Sequence, residues 1–211
     1  MENNNTFSII LAVHNAADKL EQNLPAFLET ASEAGAKVIV VDDMSNDETP
    51  DVLTRMKAEH TDVLYTTFLP ESVIVNPSRL RLALSVGAKA AKTPYIILAS
   101  IERPPRNVGW LYGMADSEAA LVYSLRKGNQ VVHVTTTDVE ELRPTILKAE
   151  RKKGRGHRGR FLKMRRGLYD AVCVHKDRIY DVINMFDRPV GFGKLWCLRF
   201  QVFLNSIFSD T

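Results

Sequence analysis

The segment VVDDMSND, residues 40–47, decides the fold: an apolar run passes directly into a turn that carries three carboxylates. Together with residues 37–39 it is typical of a strand buried on both faces of a parallel sheet. Asp42 and Asp43 end this strand, where they are poorly placed for packing but well placed to accept hydrogen bonds from a uracil imide or a ribose hydroxyl. The alternative is that these residues serve only the local backbone, because their residue types also form turns and cap helices. Asp47 or Thr49 could cap the next helix.

Apolar runs alternate with segments of helical spacing on both sides of this turn. Strands are predicted at residues 7–15, 62–68 and 93–100, and within residues 37–47, where the strand runs into the acidic turn. Helices are predicted at residues 18–33, 49–60 and 78–91. Repeated βαβ units predict an α/β fold with a mostly parallel Rossmann-type sheet, right-handed crossovers and helices on both faces. Ligands of such sheets bind at the carboxyl ends of the strands, near a change of strand order.

The pattern changes after Ser100. Residues 120–125 and 129–137 are typical of a β-hairpin joined through Lys127-Gly128. A strand is predicted at residues 169–175, and helices are predicted at residues 106–117, 138–151, 177–186 and 194–208.

The ordered set of motifs resembles family-2-type glycosyltransferases of the GT-A fold over roughly residues 7–105. The family pattern is a strand ending in a V-Y-N-like tripeptide, a V-V-D-D-x-S-x-D turn, a basic helix, and a strand ending in D-x-D. Here the tripeptide is Val13-His14-Asn15, the turn is 42–47, and the helix carries Arg79 and Arg81. The resemblance implies a nucleotide-sugar-binding half at 1–105 and an acceptor-side half at 106–211, within one continuous domain.

The resemblance also implies a donor of the UDP-sugar type. Asp42 and Asp43 would lie near the base and ribose, with the backbone around Val13 and His14 as a floor. Arg79 or Arg81 would reach the diphosphate, for which a guanidinium group is suited because it is planar and permanently charged. The alternative for each arginine is a solvated helix face.

The fourth strand departs from the family pattern, so the D-x-D motif is degenerate. Ser100 replaces its first carboxylate and Glu102 stands at the second. One alternative is that both still help to hold Mn²⁺ or Mg²⁺, with the phosphates as further ligands. The other alternative is that metal binding is lost and that Arg103 or the basic residues at 151–166 neutralise the phosphates.

An inverting transferase needs a general base to deprotonate the acceptor hydroxyl. Asp116, Glu118 and Asp170 are candidates by position only, so the catalytic residue stays unassigned. The first hypothesis is therefore a glycosyltransferase that acts on a glycan or a lipid-linked acceptor, as in polysaccharide biosynthesis. The alternative is a catalytically degenerate module that keeps the fold and binds a nucleotide sugar or a membrane surface.

The basic stretch, residues 151–166, holds nine of the 28 Lys and Arg residues and no acid. The rest of the chain carries 19 basic against 25 acidic residues, a net charge of −6. The stretch could be a lid over the diphosphate, a contact for anionic lipid head groups, or a solvated loop. Nucleic acid is disfavoured as a partner, because only Phe161 is available there for stacking.

Composition narrows the protein class. Two separated cysteines, Cys173 and Cys197, argue against a disulfide framework or a zinc knuckle. No run approaches the roughly 18 apolar residues of a membrane span, and the N-terminus does not resemble a secretory leader. A cytoplasmic location is expected. Peripheral attachment to the inner membrane face is an alternative, because the helix predicted at residues 194–208 would be either buried or on a membrane surface.

Overall fold

The computed structural model of the protein describes residues 7–69, 79–114, 121–127, 130–136 and 171–185. Its strands are β1 (Phe7–Val13), β2 (Lys37–Asp42), β3 (Leu64–Phe68), β4 (Tyr95–Ala99), β5 (Leu121–Lys127), β6 (Gln130–Thr136) and β7 (Ala171–His175). Its helices are α1 (Ala17–Glu33), α2 (Thr49–Glu59), α3 (Arg79–Ala90), α4 (Gly109–Met114) and α5 (Ile179–Met185), and a 3-10 turn (Lys176–Arg178) precedes α5.

The strands form one sheet in the order β3-β2-β1-β4-β7-β5-β6. The first four strands are mutually parallel, and β7 runs antiparallel between β4 and β5. β5 and β6 form the predicted antiparallel hairpin. Five of the seven strands in the described ranges thus point the same way, which confirms the predicted α/β, GT-A-like, mostly parallel sheet. Strands from both sides of residue 105 belong to it.

The strand order changes at β1. The chain steps from β1 outward to β2 and β3, and then returns to place β4 on the other side of β1. Val13 is in register with Asp42 of β2, and Leu11 with Ala99 of β4. The carboxyl ends of β1, β2 and β4 therefore lie along one edge of the sheet, at the switch point where α/β sheets bind ligands.

Helices cover both faces of the sheet, as predicted. Apolar residues of α1, α2 and α4 pack with alternate residues of β1 and β2 in one core, and those of α3 and α5 pack with the intervening residues in a second core. The connection from β3 to β4 crosses the sheet in the direction opposite to the connections from β1 to β2 and from β2 to β3. Because crossovers between parallel strands have the same hand, α3 lies on the face opposite α1 and α2.

Gly87 of α3 lets this second layer approach closely. A Cβ atom at position 87 would lie 2.6 Å from Cγ2 of Ile10 and 3.3 Å from Cγ2 of Val41. Because a real Cβ contact is not that short, the helix backbone can sit against β1 and β2 only without a side chain here.

Some predicted boundaries differ from the observed ones. β2 ends at Asp42 because the backbone turns into the left-handed region at Met44, with φ 56°. The segment before β3 is a turn, so that strand begins at Leu64 and not at residue 62. The helix predicted from residue 106 begins at Gly109.

Several predictions fall outside the described residues. They are the helices at 138–151 and 194–208, the basic stretch, Cys197, and the base candidates Asp116, Glu118 and Asp170. Among the helices that are described, none combines the length and the apolar character needed to cross a bilayer.

Candidate nucleotide-binding site

The tips of β1 and β2 are tied together by their backbones and by His14. The backbone N–H of Asp43 donates to the carbonyl of Val13 across 2.8 Å. Nδ1 of His14 lies 2.6 Å from the carbonyl oxygen of Asp43. A carbonyl oxygen can only accept, so this nitrogen carries the proton. The side chain of Val13 is fully buried in the core, which leaves only backbone atoms of this residue at the edge.

Two residues beside these tips adopt left-handed backbone conformations. Asn15 has φ 47° and Met44 has φ 56°. Asn tolerates this region, whereas for Met it costs about 1 kcal/mol. Two side chains hold these conformations. Oδ1 of Asn15 accepts from the backbone N–H of Asn46 across 2.8 Å. Oγ of Ser45 accepts from the backbone N–H of Asn15 across 2.8 Å. Strained backbone that the surroundings enforce is frequent at ligand sites.

Asp42 is a buried carboxylate, 1% exposed. Its Oδ1 accepts hydrogen bonds from the hydroxyl and the backbone N–H of Ser45. Burial raises the pKa of Asp42, and the bonds from Ser45 and the nearby His14 offset only part of that effect. Asp42 can therefore both stabilise the turn and bind a ligand, because Ser45 uses only one of its two carboxylate oxygens.

Asp43 is equally buried, 3% exposed, and pairs with Arg79 at the start of α3. Nε of Arg79 donates to Oδ1 of Asp43 across 2.6 Å, and Nη2 contacts the same oxygen. The hydrogen bond to Asp43 raises the pKa of Arg79. Although Nη2 is close to Asp43, it is buried and has no well-directed hydrogen-bond acceptor in the part of the chain that is described.

Asp47 and Thr49 complete the turn by holding the starts of two helices. Oδ1 of Asp47 accepts from the backbone N–H of Thr49 at 3.0 Å, and Oδ2 from that of Ala17 at 3.2 Å. Oγ1 of Thr49 accepts from the backbone N–H of Ala16 at 2.8 Å. Although desolvation alone would raise it, the pKa of Asp47 is lowered by the bonds from Thr49 and Ala17. The prediction that Asp47 or Thr49 caps the next helix thus agrees with the structure for Asp47, whereas the Thr49 side chain holds the start of α1.

The segment after β4 forms a tight turn at the same sheet edge. The hydroxyl of Ser100, which is buried, accepts from the backbone N–H of Glu102 at 3.3 Å, and the Ser100 carbonyl accepts from that of Arg103 at 3.0 Å. Nδ2 of Asn23, on α1, donates to the carbonyl of Ile101 across 2.9 Å. The first helix therefore fixes the segment that carries the degenerate D-x-D.

Glu102 pairs with Lys19, which lies one turn before Asn23 on α1. Nζ of Lys19 lies 2.8 Å from Oε1 of Glu102, with side chains 40% and 26% exposed. Within the described ranges, no three His, Cys, Asp or Glu side chains cluster as a metal site. The tip of β4 therefore offers a divalent cation one carboxylate, which already binds an ammonium group, and one neutral hydroxyl, a poorer set than the hard anionic oxygens that Mn²⁺ and Mg²⁺ prefer.

The structure brings most of the predicted site residues to one edge. Val13, His14, Asp42, Asp43 and Arg79 form one bonded cluster. Arg81 lies half-buried on α3.

Ser100 and Glu102 lie along the same edge, at the tip of β4. The sequence prediction missed Ser45, Lys19 and Asn23. For Ser45 the signal was available, because Asx turns place a partner a few residues on. For Lys19 and Asn23 no local signal exists, because their partners are 83 and 78 residues away.

Residues 8–99 match the model of the family described as glycosyl transferase family 2. The fold is similar to that of the mannosyltransferase PcManGT from Pyrobaculum calidifontis, solved with GDP-Man and Mn²⁺, with TM-score 0.56 and 14% identity over 97% of this chain and 65% of that one. It is also similar to S. aureus TarS residues 1–349 in complex with UDP-GlcNAc, with TM-score 0.51 and 14% identity over 92% and 52% of the two chains.

A third similar structure is 4-diphosphocytidyl-2C-methyl-D-erythritol synthase from Anaerococcus prevotii, with TM-score 0.52 and 10% identity over 95% of this chain and 84% of that one. A search of curated proteins found no match. The chain spans about two thirds of the length of PcManGT and about half of the length of TarS residues 1–349. The segment that carries the acidic turn and nearly all of β1 to β4 thus matches glycosyl transferase family 2, and the fold is similar to that of these solved structures.

Proposed function

We propose that this protein is a glycosyltransferase that binds a nucleotide-diphosphate sugar and transfers the sugar, with inversion, to a glycan or a lipid-linked acceptor. The observation that carries the proposal is the placement of Asp42 and Asp43 at the tip of β2, beside the strand-order switch, inside the segment that matches family 2. Buried carboxylates at this edge suit a nucleoside, which offers hydroxyl and ring N–H donors.

The nucleoside end of the donor is assigned to the tips of β1 and β2. Asp42 accepts from the base or the ribose, and its buried position makes that hydrogen bond strong because water does not compete for it. The backbone at Val13 and His14 forms the floor. Its shape is fixed before any ligand arrives, since the His14 side chain is bonded to the Asp43 carbonyl.

The diphosphate end is assigned to Arg79. Its side chain is 41% exposed even though Nε is bonded to Asp43. A guanidinium group has five donors, so Arg79 can hold Asp43 and contact a phosphate oxygen together. This arrangement orients the guanidinium and retains the positive charge that stabilises a leaving nucleoside diphosphate. Arg81 stays a second candidate for the same role.

The transfer itself displaces the nucleoside diphosphate from the anomeric carbon as the acceptor hydroxyl attacks, and a carboxylate takes up the hydroxyl proton. Asp116, Glu118 and Asp170 remain predictions for that base. The acceptor is assigned to the half at 106–211, of which α4, β5, β6, β7, the 3-10 turn and α5 are described. An anionic membrane surface as partner of the basic stretch also remains a prediction.

A second candidate function is a nucleotide-sugar-binding module without catalysis. The observation that favours it is the β4 tip, where Ser100 stands in place of a carboxylate and Glu102 is paired with Lys19. Binding and transfer must therefore be measured separately.

A screen of nucleoside diphosphates and their sugars by thermal shift, followed by transfer assays with the donors that bind, tests the proposal. A ligand that binds only the native state raises the midpoint, and Asp42→Ala is expected to abolish the rise. Asp51→Ala, an exposed carboxylate on α2, serves as the matched control. Binding with sugar transfer supports the enzyme, binding without transfer supports the module, and no midpoint change with any nucleotide contradicts both.

A further inference from the structure

We infer that the Lys19 ammonium, held by Glu102, takes the place of a divalent cation at the tip of β4 and binds the diphosphate of the donor, so that the protein binds nucleoside diphosphates without metal. The inference rests on the proposed nucleotide-binding function. It replaces the prediction that Ser100 and Glu102 hold Mn²⁺ or Mg²⁺.

The position of Lys19 is the first argument. α1 begins at Ala17, directly after the tip of β1, so Lys19 in its first turn lies at the edge that carries the acidic turn. Lys19 and Asn23 both contact the segment after β4, at Glu102 and at the Ile101 carbonyl. The ammonium group is therefore fixed at the strand tip where family-2 transferases place D-x-D.

The ligand set is the second argument. A divalent cation on Glu102 would lie within a few ångströms of the ammonium that already contacts Oε1 at 2.8 Å, and the two positive charges would repel each other. The hydroxyl of Ser100 cannot replace the missing carboxylate, because it carries no charge and its oxygen accepts from the Glu102 backbone. The β4 tip is thus built for an ammonium group.

The chemistry of lysine is the third argument. An ammonium group carries a full charge and three N–H donors, so it can hold a carboxylate and contact a phosphate oxygen at once. Two N–H groups at the start of α1, those of Ala16 and Ala17, are already bonded to Thr49 and Asp47. The side chain of Lys19, which is 40% exposed, therefore supplies the charge.

Titration calorimetry of the whole chain with UDP and with GDP, each in EDTA and in Mn²⁺, tests the inference. We expect the affinity in EDTA to equal that in Mn²⁺, and Lys19→Met to weaken binding about 10-fold or more in both buffers, as the loss of a charged hydrogen bond does. Glu102→Gln removes the carboxylate that positions Lys19 and should weaken binding by the same factor with and without Mn²⁺.

The matched control is Lys57→Met. Lys57 lies in the last turn of α2, over the ring of Tyr65, and α2 runs away from the carboxyl ends of the strands. Removal of its charge is expected to leave both affinities unchanged, and thermal melting checks that all variants are folded.

The possible failures are distinguishable. Binding that requires Mn²⁺ and loses this requirement in Glu102→Gln overturns the inference but leaves the proposed function intact. Equal weakening by Lys19→Met and Lys57→Met shows a general charge effect and also overturns it. No binding of either nucleotide, with or without metal, means that the proposed function itself has failed for these donors.

Discussion

Arg79, the first residue of α3, donates from Nε to Oδ1 of Asp43 at the tip of β2, across 2.6 Å. This bond joins the acidic turn to a helix 36 residues further along the chain. The Asp43 carboxylate is almost completely buried, with 3% of the residue exposed, and the Arg79 guanidinium is its positively charged partner. The candidate site is thus part of the packing of the sheet edge, and its residues affect stability as well as binding.

The first prediction concerns this pair. Arg79→Ala leaves a buried carboxylate without its counter-ion and is expected to lower the free energy of unfolding by about 1–3 kcal/mol. The double variant Arg79→Ala/Asp43→Asn should lose less than the two single variants together. Urea denaturation provides both values.

The control is Arg55→Ala, since Arg55 pairs with Glu21 on the surface, where such a pair has little effect. If Arg79→Ala and Arg55→Ala had the same small effect, the Asp43 carboxylate would not depend on Arg79.

The second prediction concerns pH and Asp42. Burial raises the pKa of Asp42 above its ordinary value of 3.8. The folded protein therefore holds a proton on Asp42 that the unfolded chain releases, and the stability contribution of this residue falls as the pH rises from 3.8 through the raised value. Asp42→Asn removes that dependence, so the variant should gain stability relative to the wild type between pH 4 and pH 7.

Chemical denaturation at a series of pH values measures this slope. Asp51→Asn, an exposed carboxylate on α2, should show no such gain. A constant stability difference between Asp42→Asn and the wild type at all pH values would contradict the prediction.

The third prediction concerns Asp47, whose carboxylate holds the first N–H groups of two helices. Asp47→Ala is expected to cost about 1 kcal/mol at pH 7, as the loss of a capping side chain does. The pKa of Asp47 is lowered, so its charged form contributes stability above the unfolded value of 3.8, and the contribution is lost as the pH falls through the lowered value.

Thermal denaturation at pH 7 and at pH 3 compares the two conditions. The neighbouring Glu48→Ala is the control, because the side chain of Glu48 makes no capping bond. A cost of Asp47→Ala that is as large at pH 3 as at pH 7 would be inconsistent with a charged cap.

The fourth prediction concerns Gly87 of α3. Alanine favours a helix by about 1 kcal/mol over glycine, yet the added methyl group would overlap the Cγ2 atom of Ile10, which a β-branched side chain cannot move away. Overpacking of a core costs about 1–3 kcal/mol, so Gly87→Ala should be destabilising overall.

Gly87→Ala/Ile10→Ala should lose less stability than the two single substitutions together, because it removes the overlapping methyl group. Denaturant titration of the three variants tests this, and a stabilising Gly87→Ala would contradict the close packing of α3 on β1.

Much of the fold was predictable because its first four strands are short apolar runs separated by amphipathic helices. The parallel sheet, the two helical layers and the position of Asp42 and Asp43 at a strand tip all follow from that pattern. The insertion of β7 between β4 and β5 was not predictable, because apolar periodicity identifies a strand without naming its neighbours.

The site was predictable in part, for a similar reason. Residue type and strand ends indicate Asp42, Asp43 and Glu102, but not which cation each one meets. Arg79 was assigned to a phosphate, and its bond to Asp43 depends on how α3 crosses the sheet. Lys19 was overlooked because only the parallel pairing of β1 with β4 brings the start of α1 beside Glu102.

The most direct test of the proposed site is a crystal structure of the chain with a bound nucleoside diphosphate. We expect the nucleoside at the tips of β1 and β2, with Asp42 bonded to the base or ribose, and the phosphates beside Arg79 and Lys19. A nucleotide bound elsewhere, with the Asp42 carboxylate still bonded to Ser45 and the Asp43 carboxylate still bonded to Arg79, would contradict it.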